Sequence, residues 1–123
     1  MSTYDLKQRT FNFAVAVARL INKLPVTIAN KAYFGQLVRC SSSVGANYRA
    51  SQRAKSAPDF INKLKIVEEE TDETVYFLQL LVALNPEYAQ IIQPLLNEGT
   101  EILKIIVASI NTARANGLKN DKL

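Results

Sequence analysis

A length of 123 residues sets the expectation of one domain, residues 1–123, large enough to fold around its own core. Hydrophobic residues make up 48% and charged residues 21%, a balance that excludes a disordered chain. The net charge is +4 and there is no histidine, which excludes Ser-His-Asp and Cys-His catalysis and di-metal sites built from Glu-x-x-His pairs.

Apolar residues recur at helical spacing almost throughout, and no stretch alternates as a strand does. The first helix is expected over about 4–24. Its stripe is Leu6, Thr10, Phe13, Val17, Leu20 and Leu24, with Gln8, Asn12, Arg19 and Lys23 opposite. Pro25 stops it, because proline cannot continue the hydrogen-bond ladder.

The second helix is expected over about 29–54, with the stripe Phe34, Leu37, Ser41, Val44, Tyr48 and Ser51. Ser41, Ser42, Ser43, Gly45 and Ala46 crowd its middle, and serine and glycine are mediocre helix formers. Close packing against a neighbour is therefore expected there, with Gly45 as the point of approach. Cys40 lies in the same apolar-periodic stretch and reads as a buried, reduced thiol.

Ser56, Ala57, Pro58 and Asp59 start the third helix, about 57–84. Ser56 can cap, Pro58 suits the first turn, and Asp59 suits the positive end of the helix dipole. Its stripe is Phe60, Leu64, Val67, Thr71, Val75, Leu78 and Val82. Asn85 and Pro86 repeat the cap-then-proline signal before a fourth helix over about 87–115. A short turn, Glu87 to Ile92, is expected ahead of a kink or restart at Pro94. Gly117 is expected to end the helix, leaving a polar tail at 117–123. The fourth stripe is Leu96, Gly99, Leu103, Ile106, Ile110 and Ala113, with a second apolar row of Leu95, Ile102 and Ile105. A wide contact with the bundle or a contact with a second subunit would use that row. Short connections between four helices predict an antiparallel up-down-up-down bundle, an all-α fold.

Met1 to Lys7 is polar, no A-x-A cleavage pattern follows the apolar residues around Val15, and no apolar run approaches membrane-spanning length. The expected compartment is the cytoplasm, with no membrane partner.

Charge is segregated along the chain. Residues 31–65 hold Lys31, Arg39, Arg49, Arg53, Lys55, Lys63 and Lys65 against Asp59 alone. Residues 66–101 hold Glu68, Glu69, Glu70, Asp72, Glu73, Glu87, Glu98 and Glu101 with no lysine or arginine. Folding the second helix back on the third about Lys55 and Ser56 places Arg39 at the level of Asp72 and within a turn of Glu69, so an ion pair with one of these acids is expected. Arg49, Arg53, Lys55, Lys63 and Lys65 then form a basic patch around that turn. It reads either as a set of phosphate contacts for RNA or DNA or as a solvated rim. No aromatic platform is interleaved with these charges, so base stacking is not expected. The acidic cluster is split over several helix faces, so no metal site and no acid-base pair is expected. Phosphate-binding glycine loops, helix-turn-helix and zinc patterns are absent from the sequence, and no cofactor is expected.

The run Ser43-Val44-Gly45-Ala46-Asn47-Tyr48-Arg49-Ala50, followed by Arg53-Ala54-Lys55-Ser56 and Phe60-Ile61-Asn62-Lys63-Leu64, resembles the bacterial 23S rRNA intervening-sequence proteins. So does the stretch from Ile66 to Leu78. The resemblance implies a four-helix bundle and an association with large ribosomal RNA genes. Through the related accessory proteins of diversity-generating retroelements, it also implies a homo-oligomer of five bundles with a basic, nucleic-acid-associated surface. Many members carry Asn-Ile-Ala-Glu-Gly where this chain has Asn47-Tyr48-Arg49-Ala50-Ser51, a change that removes an acid and adds Arg49. Asn47 reads either as a ligand contact or, as expected here, as a buried amide that bonds across helices. Two functional readings follow: a non-enzymatic oligomeric module that contacts RNA or DNA, or a scaffold that binds a protein partner without nucleic acid.

Overall fold

The first three helices each begin where a side chain accepts a free backbone N–H, and all four present an apolar stripe inward. The structure, a computed structural model, describes residues 5–121, with side chains described over 5–117. These residues form four α-helices and one 3-10 turn, with no strand: α1 (Leu6–Ile21), α2 (Ile28–Ser51), α3 (Ala57–Leu84), the 3-10 turn Pro86–Tyr88, and α4 (Ala89–Asp121). The expected first-helix start near residue 4 lies outside the described residues.

Asp5 caps α1 by accepting the Gln8 N–H at 3.4 Å. Thr27 caps α2 through Asn30 N at 3.1 Å, and Ser56 caps α3 through Asp59 N at 3.1 Å. The α1 stripe is buried as read, from Leu6 to Leu24. In α2 the inner residues are Leu37, Cys40, Ser41, Val44 and Ser51, while Phe34 and Tyr48 pack at the edge of the core. Two threonines inside the stripes, Thr10 and Thr71, donate to the Leu6 and Val67 carbonyls of their own helices, both at 2.6 Å. That satisfies their hydroxyls without a partner on another helix.

The final helix departs from the expectation in three ways. Its start is the 3-10 turn followed directly by Ala89, and α4 runs through Pro94 without interruption. Proline is tolerated there because it lies near the helix start and Gln90, whose carbonyl loses its usual donor, is exposed. Gly117 does not end the helix, which continues to Asp121. No glycine adopts positive φ, so the left-handed cap that usually stops a helix does not form. The inward stripe is Ile92, Gly99, Ile102, Ile106 and Ile110. Ile102, assigned to the second row, is therefore core, whereas Leu96 and Leu103 are only half-buried.

Packing closes a cycle of neighbours: α1 lies on α2, α2 on α3, α3 on α4, and α4 on α1 by the sparsest contact. Val17, Leu37, Val44, Val67, Leu78, Leu81, Ile92, Ile102 and Ile106 have no solvent exposure. Burial of each such side chain contributes about 1.5–3 kcal/mol. Gly45 meets α1 as expected, since a Cβ there would lie 3.2 Å from Thr10 Oγ1. Gly99 is a second close approach: a Cβ would lie 3.0 Å from Val75 Cγ2 and 3.2 Å from Phe13 Cζ.

Asn85 does not cap a helix with its side chain. It is buried and pairs with Asn30, donating to Asn30 Oδ1 at 3.0 Å and accepting from Asn30 Nδ2 at 2.8 Å. Asn30 also donates to the Pro25 carbonyl and Asn85 to the Leu81 carbonyl, each at 2.9 Å. This reciprocal pair ties the α1–α2 loop to the end of α3. Among the described residues no buried side-chain nitrogen or oxygen lacks a partner.

Candidate nucleic-acid interface

Folding divides the charges more sharply than reading along the chain shows. From Leu6 to Pro58 there is no aspartate or glutamate, so α1 and α2 carry only positive side chains. Up to residue 56 the chain has nine lysines and arginines against Asp5 alone; beyond it there are ten acids against six lysines and arginines. The bundle is thus a cationic helix pair laid against an acidic one.

Two ion pairs join the halves. Arg9 of α1 grips Glu98 of α4 with Nε to Oε2 at 2.7 Å and Nη2 to Oε1 at 2.8 Å. The hydrogen bond to Glu98 raises the Arg9 guanidinium above its ordinary value. Arg39 of α2 bonds Glu73 and, through Nη1 at 3.2 Å, Glu70 of α3. The expected partners Asp72 and Glu69 are both exposed and turned to solvent. The axial level of the pairing was legible from the turn. The partner was not, because adjacent residues on a helix differ by about 100° in direction.

Of the five patch residues, Arg49, Arg53, Lys55 and Lys65 are exposed and make no ion pair among the described residues. Lys63 is engaged instead, its Nζ 2.6 Å from Asp59 Oδ1 one turn back. That bond and a second one from the Lys55 backbone N–H hold the Asp59 carboxyl below its ordinary range. Arg53 and Lys55 belong to the connection between α2 and α3, and Lys65 to the third turn of α3.

Arg49 faces a different neighbour. It lines a shallow groove of about 270 Å³ between α1 and α2, together with Lys7, Thr10, Phe11, Ala14, Ser42, Gly45 and Ala46. Lys7 and Phe11 lie far from Arg49 in sequence, and both are exposed. An aromatic ring therefore does share a groove with two basic side chains, which the linear reading did not anticipate. The signal available in the sequence was an aromatic on the polar side of the α1 stripe, between Lys7 and Arg19.

Asn47 donates to the Ser43 carbonyl of its own helix at 2.9 Å, not across to another helix as expected. Burial pushes the Cys40 thiol and the Tyr48 hydroxyl up, and Cys40 has no exposure. Among the described residues no group of acids and cysteines is arranged to hold a metal. No helix of the described residues is long and apolar enough to cross a membrane.

The sequence matches the family described as 23S rRNA-intervening sequence protein over residues 2–108. This chain belongs to that family. A crystal structure of a protein with unknown function from the S23 ribosomal protein family, from Bacteroides thetaiotaomicron VPI-5482, is similar in fold with a TM-score of 0.73. The two are 33% identical, with 85% of this chain and 96% of that chain covered. Nothing among curated proteins matches. Membership of the intervening-sequence family thus brings a shared four-helix bundle and no assigned biochemical role.

Proposed function

We propose that this intervening-sequence family protein is a non-enzymatic, oligomeric, cytoplasmic module that contacts RNA or DNA through the cationic α1–α2 side and the turn into α3. The observation that carries this reading is the set of exposed cations that make no ion pair among the described residues: Arg49 on a helix pair that contains no carboxylate, Arg53 and Lys55 in the turn that follows it, and Lys65 on α3. Unpaired lysines and arginines displace the counterions of a phosphate backbone when they bind it. The lack of histidine supports the non-enzymatic part.

The reading includes an antiparallel up-down-up-down course. It is supported by bonds between α2 and the α3 region whose sequence separation falls toward the turn, from 55 for Asn30–Asn85 to 34 and 31 for Arg39 with Glu73 and Glu70. Assembly into a five-membered ring, as in the retroelement accessory proteins, comes from family resemblance. Exposed Ile66 and Tyr76 on α3 and Val107 on α4 offer apolar contacts for it.

Replacing Arg49, Arg53 and Lys55 by glutamate tests the proposal. RNA binding, followed by light scattering across a salt series, is expected to vanish while helix content by circular dichroism stays unchanged. Binding that survives the triple variant sinks the reading.

One observation favours the scaffold instead. Val26 in the α1–α2 loop and Ile28 at the start of α2 are 77% and 95% exposed, at the end of the bundle away from the α2–α3 turn. An oligomer indifferent to RNA at low salt would shift the assignment to a protein partner docking on that loop.

A further inference from the structure

We propose that the groove between α1 and α2 takes a single-stranded segment of nucleic acid, with one base stacked on Phe11 and the flanking phosphates held by Lys7 and Arg49. This rests on the nucleic-acid reading above and specifies its ligand and contacts.

Phe11 is 61% exposed, although it stands on a helix whose own core aromatic, Phe13, is 2% exposed. Its ring is not among the side chains that form the core or pack against it. Lys7 lies one turn before it on the same helix face, and Arg49 of α2 lines the same groove. The groove floor is made of small side chains, Ala14, Ser42, Gly45 and Ala46, so a flat ring can approach the helices closely. No carboxylate lines the groove, and none occurs anywhere in α1 or α2.

Phe11 also borders a second groove of about 670 Å³, between α1 and α4, whose basic members are Arg19 and Lys23. Cations therefore flank the ring in both directions along α1. Lys7 and Arg19 are twelve residues apart, or about 18 Å of helix axis. That spacing suits an extended strand running along α1 better than a point contact. A duplex keeps its base faces stacked inside, so only a single strand can offer a face to Phe11. A stacked base and phosphate contacts together give binding that is tolerant of sequence and steeply dependent on salt.

The experiment is fluorescence anisotropy with labelled oligo-uridine and oligo-deoxythymidine of about twelve nucleotides, a length within single-strand site sizes. A duplex RNA serves as the control. Phe11→Ala is expected to weaken single-strand binding roughly tenfold to hundredfold while leaving duplex binding nearly unchanged. Phe11→Trp should restore it. Comparing the two oligonucleotides tells RNA from DNA through the 2′-hydroxyl. If Phe11→Ala binds single strands as the unmodified protein does, the stacking site is wrong, even where the Arg49, Arg53 and Lys55 charge reversal still abolishes binding. If the unmodified protein binds no nucleic acid, this site and the proposed function fall together. If Phe11→Ala instead changes the mass of the particle in light scattering, Phe11 is a subunit contact and the proposal is overturned.

Discussion

The α1–α2 half and the α3–α4 half of this bundle share one core and differ in almost everything outside it. The first half has no acidic side chain in its helices, whereas the second holds ten of the eleven acids once the connection at Glu87 is included. The first is rich in small residues and makes a shallow groove; the second is the longer pair, with 28 and 33 residues in its helices. A shared core with divided surfaces means that stability and recognition are carried by different residues. Each can then be changed without the other.

The largest expected effect tests the shared core. Leu37→Ala in α2 and Leu78→Ala in α3 should each cost about 2–5 kcal/mol, because both side chains are fully buried. Urea unfolding by circular dichroism should give a single transition in both variants. Two transitions, with only one moved, would mean that the halves unfold separately.

Next is the amide pair that ties the halves at the loop end. Asn30→Ala should cost about 1–3 kcal/mol, since it strips Asn85 of a buried partner. Adding Asn85→Ala should cost less than the sum of the single changes, because no orphaned amide then remains. Strict additivity in the urea midpoints would refute the pairing.

A smaller effect is expected at the seam between α1 and α4. A double-mutant cycle on Arg9→Ala and Glu98→Ala should show about 1 kcal/mol of coupling, since the pair is bidentate and Arg9 is mostly covered. Coupling near zero would leave the halves joined by apolar packing alone.

The smallest concerns pH. The folded Asp59 carboxyl titrates below its ordinary value, so its stabilisation is present above about pH 4 and fades as the pH falls through the lowered value. Asp59→Asn should therefore flatten the acid side of the stability profile and leave the neutral side with only a small, pH-independent offset. A profile of unchanged acid slope would show that the Lys63 bond carries no linkage.

Much of the fold was legible because helical periodicity and capping are local. The α1 stripe from Leu6 to Leu24, the Ser56 cap with Pro58, and the close approach at Gly45 all rest on residues within a few turns of one another. The α4 stripe was shifted because that helix is apolar on more than one face, and periodicity alone does not say which row meets the core. Gly117 and Pro94 were read as breakers, but glycine costs a helix only about 1 kcal/mol and Pro94 lies near the helix start, where the carbonyl it leaves unbonded is exposed.

The candidate site was legible in part. Arg49, Arg53, Lys55 and Lys65 stand out as basic residues in any linear reading, and the structure leaves them exposed. Lys63 stands out equally, yet its charge is spent on Asp59 four residues back, a pairing that helical spacing alone could have suggested. By itself the sequence determined the helices, the Ser56 cap, most of the buried stripe residues and the division of charge, all consequences of spacing along one chain. Only the tertiary structure decided that Arg39 meets Glu70 and Glu73, that Asn30 and Asn85 clasp one another, and that Phe11 shares a groove with Lys7 and Arg49. Those choices depend on the rotation of each helix about its axis, which is set by how whole faces pack and is not encoded in any single segment.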